Sequence, residues 1–76
     1  MCLGIPMKLV EVNYPLAIAE AKGVKREVYL QLIPEDQIKP GDYVIVHVGF
    51  AIQKLSAEEA EETWQYLDQI LAQENA

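Results

Sequence analysis

Turn signals cut residues 1–55 into short runs. Asn13-Tyr14-Pro15, Lys22-Gly23, Pro34 and Lys39-Pro40-Gly41-Asp42 interrupt stretches in which apolar and polar residues alternate, the two-residue period of half-buried strands. The predicted strands are Lys8–Val12, Leu16–Ala21, Val24–Ile33, Tyr43–Val48 and Phe50–Leu55. In the third, Val28, Leu30 and Leu32 share one face and Glu27, Tyr29 and Gln31 the other; in the fourth, Val44, Val46 and Val48 oppose Tyr43, Ile45 and His47. Lys39-Pro40-Gly41-Asp42 has the Pro-Gly centre of a type II turn. Residues 34–38 read as a polar connection.

The period changes at Ser56. Ser56-Ala57-Glu58-Glu59 has the form of a capping box, and Ala57, Ala60, Trp64, Leu67 and Leu71 recur at helical spacing. The early glutamates suit the positive end of the helix dipole. An amphipathic helix of this kind is expected to pack its stripe on the strands; docking on a partner is the alternative. Five short strands and one helix predict a mainly β chain: a small barrel over 1–55, which leaves few strand edges exposed, and a helix over 56–74. At 76 residues this makes one domain with a small core.

Charge narrows the partners. Residues 1–55 carry six bases and six acids, whereas the remainder carries six acids and no base, giving a net charge of −6. Such a balance argues against a surface that tracks phosphates, which needs clustered Lys and Arg, so no nucleic-acid partner is expected. No apolar run approaches the roughly 20 residues of a membrane span, and the first residues lack a secretory signal pattern, so no membrane partner is expected either. The single cysteine excludes an internal disulfide framework, and a cytoplasmic location is expected.

Two residues carry candidate chemistry. Cys2 becomes N-terminal if Met1 is removed, and a thiol beside an α-ammonium has more of the thiolate form that binds metals and attacks electrophiles. Its competing fate is a buried, inert cysteine. Gly4 and Pro6 are expected to turn and stiffen the chain around it. His47 in its valine-rich strand is either a half-buried structural residue or a ligand or proton relay; Gly49 nearby suggests a bulge or a close backbone approach. One thiolate and one imidazole are too few for a closed structural zinc site, which takes four protein ligands. Any metal held here needs further ligands from a partner or from small molecules.

Met1-Cys2-Leu3-Gly4-Ile5-Pro6 and Gly41-Asp42-Tyr43-Val44-Ile45-Val46-His47-Val48-Gly49-Phe50-Ala51 together resemble the HypC/HupF family of [NiFe]-hydrogenase assembly chaperones. The resemblance extends over nearly the whole chain; Met7 stands where many members have glycine. It implies an OB-like barrel with a C-terminal helix. It also implies a non-enzymatic role in building and carrying the Fe(CN)2CO group with a HypD-type scaffold protein, for delivery to the hydrogenase large-subunit precursor. The family's essential N-terminal cysteine corresponds to Cys2 and its motif histidine to His47.

On this reading Cys2 contacts the iron or a partner thiol directly, and His47 is a ligand or a group that orients the site. The partner surface is expected around Cys2, Leu3, Gly4, Ile5, Pro6, His47, Gly49 and Phe50. Leu3, Ile5 and Phe50 have barrel core as their competing fate, and for Phe50 inward packing is the stronger expectation. The isolated chain is expected to be a monomer and the working form a heterodimer. Two other classes compete: an enzyme with Cys2 as nucleophile and His47 as base, and an OB-like nucleic-acid module.

Overall fold

The computed structural model describes residues 4–74, with side-chain environments up to residue 70. Five strands, β1 (Ile5–Asn13), β2 (Leu16–Ala21), β3 (Val24–Tyr29), β4 (Tyr43–His47) and β5 (Phe50–Leu55), precede one helix, α1 (Ala57–Glu74). They close into a barrel in the order β1-β2-β3-β5-β4, all neighbours antiparallel except β3 and β5. This is the expected mainly β barrel with a C-terminal helix.

β1 does most to close it. From Ile5 to Lys8 it pairs with β4, and from Lys8 to Asn13 with β2. It therefore begins earlier than the alternation suggested, and Ile5 and Pro6, expected in a turned segment, are strand. Pro6 is tolerated because the edge carrying its missing N–H lies beyond the end of β2, where no ladder bond is required. Instead its carbonyl accepts the indole N–H of Trp64 at 3.0 Å. The β1–β2 register slips between Leu9 and Glu11, leaving Val10 as a bulge. The extra residue changes the inward phase, so that Leu9 is fully buried, Val10 is exposed and Val12 packs on the core.

Met7, Leu9, Val28, Leu30, Val44 and Val46 fill the interior together with the small residues Ala17, Ala19 and Ala51. Two strand ends differ from expectation. β3 stops at Tyr29, because Leu30 bonds to Pro15 O at 2.7 Å and Ile33 N–H turns back to Leu30 O at 2.9 Å. Leu32, assigned to the core face, is consequently 62% exposed, and Ile33 is buried in its place. The Tyr14 hydroxyl secures this turn by donating to Ile33 O at 2.7 Å. The polar connection then contains a short 3-10 turn, Glu35–Gln37. The type II turn forms as expected, with Asp42 N–H on Lys39 O at 3.2 Å.

β4 stops at His47, one residue early. Val48 and Gly49 form the two-residue connection to β5, with φ of 53° and 82°, the signature of a type I′ hairpin. Val48 is thus not on the face of Val44 and Val46 but 74% exposed at the hairpin tip. A β-branched residue at positive φ is strained by about 1–2 kcal/mol.

The capping box is present. Glu59 N–H donates to Ser56 Oγ at 3.0 Å, and Ser56 N–H to Glu59 Oε1 at 2.9 Å. α1 rests on the barrel through buried Ala60 and half-buried Trp64 and Leu67, whereas Ala57, the first residue of the expected stripe, is exposed. Leu71 lies beyond the described side chains. Polar contacts supplement this narrow seam: besides the Trp64–Pro6 bond, Lys22 Nζ sits 5.0 Å from the Trp64 ring centre and 3.0 Å from Asp68 Oδ2.

Two stability measurements check these assignments. Val48→Asn, which suits the type I′ turn, should raise unfolding free energy in urea by about 1 kcal/mol; an unchanged or lower value contradicts the strain at this position. Trp64→Phe keeps the ring but removes the donor, and should lower stability by about 1 kcal/mol. A neutral result contradicts the tie between α1 and β1.

Candidate functional site

The sequence motifs meet at one end of the barrel. Antiparallel pairing sets Ile5 against Val46, so Gly4, just before β1, is next in register to His47 at the β4–β5 hairpin. Gly4 permits this approach: a Cβ there would collide with the Ile45 side chain. Cys2 and Leu3 lie outside the described residues.

Beside this junction is an open cleft of about 570 Å3. It is lined by Ile5, Met7 and Val46 of β1 and β4, by His47, Val48 and Gly49 at the β4–β5 hairpin, by Lys22, Val24 and Arg26 of the β2–β3 hairpin, and by Trp64 of α1. No carboxylate is among the lining residues, although the whole chain carries a net charge of −6. Lys22 is engaged by Asp68, while Arg26 makes no ion pair among the described residues. His47 is half-buried, and Ile5, Val24 and Val48 are exposed apolar residues of the rim.

The structure thus brings Ile5, His47 and Gly49 to a common cleft. It separates two others from it. Pro6, expected in the contact segment, is fully buried and its carbonyl is occupied by Trp64, so its part is structural. Phe50 is not core: it is 39% exposed and packs on Tyr29, with ring centres 5.4 Å apart. The shortness of β3 explains this, because the β3–β5 contact is confined to Tyr29 and Phe50 and leaves both rings on the outer surface.

The sequence did not mark Lys22, Val24, Arg26 or Trp64 as site residues: Lys22 reads as a turn and Trp64 as part of the helical stripe. The two-residue period offered a signal for two of them, since Val24 and Arg26 share the inward phase of Val28. Trp64 gave none, because its bond to Pro6 crosses 58 positions. Chemically, the described part supplies one imidazole, one unpaired guanidinium and an apolar rim. No group of three or more His, Cys, Asp or Glu side chains suited to a metal ion occurs among the described residues, and no helix there is long and apolar enough to cross a membrane.

Comparison with known proteins gives this arrangement a lineage. The HupF/HypC family model matches residues 1–67. Over 72 residues the chain is 39% identical to hydrogenase maturation factor HypC of Helicobacter hepaticus, covering 93% of this chain and 83% of that protein. It is 45% identical over 64 residues to the HypC of Cupriavidus necator, covering 83% and 69%. Hydrogenase maturation factor HybG of Escherichia coli K12 is 38% identical over 77 residues, covering 92% of each chain. With the match spanning the barrel and the first half of α1, the chain belongs to the HupF/HypC family.

Proposed function

We propose that the chain is a non-enzymatic hydrogenase maturation chaperone of the cytoplasm. It helps to assemble an Fe(CN)2CO group with a HypD-type scaffold protein and carries it to the [NiFe]-hydrogenase large-subunit precursor. Cys2 is the direct contact to iron or to a partner thiol. His47 is a second ligand or the group that orients the first.

One observation supports this reading above the others: the β1–β4 register, with Ile5 opposite Val46. Cys2 is two residues before Gly4, a stretch of at most about 7 Å, and Gly4 is next in register to His47. A thiol and an imidazole from opposite ends of the barrel sequence are therefore within covalent reach of a common place. Both are donors suited to iron.

A carrier benefits from having few ligands. Cyanide and carbon monoxide already occupy strong positions on the cargo, so the protein needs to add one or two donors. Such a site is completed by a partner and opens when that partner leaves. Apolar Ile5 and Val48 at the rim give the partner a surface to cover while the cargo is held.

Removal of the thiol is the sharpest test. In a complex with the scaffold protein purified anaerobically, Cys2→Ala should lose essentially all bound iron while the two proteins still co-elute. Retention at the wild-type level overturns the reading. For His47→Gln, hydrogenase maturation in cells should fall by about 10-fold or more, the usual effect of losing a ligand or its orienting partner; wild-type activity removes His47 from the site.

A further inference from the structure

β3 has one satisfied edge and one open edge. It pairs with β2 along its whole length but with β5 only at Tyr29 and Phe50. The two-residue turn at Lys22–Gly23, with φ of 53° and 79°, makes Ala21 and Val24 a hydrogen-bonded pair. By alternation Arg26 and Val28 also bond to β2, whereas Lys25, Glu27 and Tyr29 direct their N–H and C=O groups to the other side. Tyr29 verifies the phase, since its N–H reaches Gly49 O at 2.9 Å. Lys25 and Glu27 have no backbone partner on that side among the described residues.

This open edge borders the cleft. Val24 and Arg26, which share the inward phase of Val28, line it together with Ile5, His47 and Val48. Rows of unpaired backbone groups are templates for strand addition, with main-chain bonds providing affinity and alternate side chains providing selectivity. Here the alternate positions offer an apolar contact at Val24 and, at Arg26, a cation that makes no ion pair among the described residues, in a cleft whose described lining has no carboxylate.

We propose that the open edge of β3 binds an extended acidic segment of a partner protein as an added strand. The segment bonds to the backbone of Lys25 and Glu27. A carboxylate faces Arg26, and apolar side chains two positions away cover Val24 and the hairpin tip. A second copy of this chain fits less well. Antiparallel pairing of two β3 edges about Arg26 would satisfy Lys25 and Glu27 but set the two Arg26 side chains face to face, a destabilising like-charge pair.

The test uses the full chain, labelled with nitrogen-15, and the peptide acetyl-Val-Thr-Glu-Thr-Val-amide. Its sequence reads the same in both directions and places Glu between two Val on one face. Saturable shifts and slowed hydrogen exchange at the Lys25 and Glu27 amides are expected at millimolar peptide. Replacing the peptide's Glu by Lys should weaken binding by about 10-fold, equivalent to about 1.4 kcal/mol, and replacing both Thr by Pro should abolish it. Arg26→Glu, an exposed position, should reverse the Glu-over-Lys preference. Unchanged Lys25 and Glu27 amides, or equal binding of the Glu and Lys peptides, overturns the proposal. So does protection of these amides that grows with protein concentration alone, which would assign the edge to a second copy. The experiment needs neither Cys2 nor iron, so its outcome is separate from that of the function proposed above.

Discussion

β1 is hydrogen-bonded along both edges, and the barrel depends on that double engagement. Its first half belongs to β4 and its second half to β2, with Lys8 common to both. A straight strand in strict alternation would put either Leu9 or Val12 on the outer surface. The bulge at Val10 lets both face the interior while the strand bends from one neighbour to the next. Closure in turn fixes where β1 begins: Ile5 is held opposite Val46, in register beside His47. The proposed carrier site is therefore a consequence of how the sheet closes.

The helix contributes by restraint. Its buried seam is narrow, resting on Ala60 with Trp64 and Leu67 half-covered, so burial alone holds it lightly. The Trp64 indole bond to Pro6 ties it to the strand that carries the N-terminal motif. The Lys22–Asp68 pair ties it to the β2–β3 hairpin, although both side chains are about half exposed and an ion pair in that setting contributes little. Acidic charge is concentrated on α1, whereas the described lining of the cleft includes Lys22 and Arg26 and no acid. The net charge of the chain thus conceals a locally basic recess.

Much of the barrel was legible because its turns have specific chemistry. Pro40-Gly41 and Lys22-Gly23 fixed two connections, and Ser56 with Glu59 fixed the start of α1 through reciprocal side-chain bonds. What the alternation could not show was where a partner strand ends. The predicted strand Val24–Ile33 looks continuous, but the pull of Leu30 towards Pro15, which ends β3 at Tyr29, is tertiary. Val48 looks like a strand residue because it is β-branched, yet the hairpin needs positive φ there, and the fold overrides the local preference. The motif residues His47 and Gly49 could be picked out from type and spacing. The part of the cleft formed by Val24 and Arg26 could not, since only closure of the barrel brings them into a recess that His47 also lines.

The central claim is that a small barrel with an incomplete ligand set carries an iron group whose remaining ligands are diatomic. Infrared spectroscopy tests it most directly, on the tagged chain purified without oxygen from cells making a [NiFe]-hydrogenase. Stretching bands of iron-bound cyanide and carbon monoxide are expected in the fraction where the chain co-elutes with a second protein. A partner-bound fraction with neither band would contradict it.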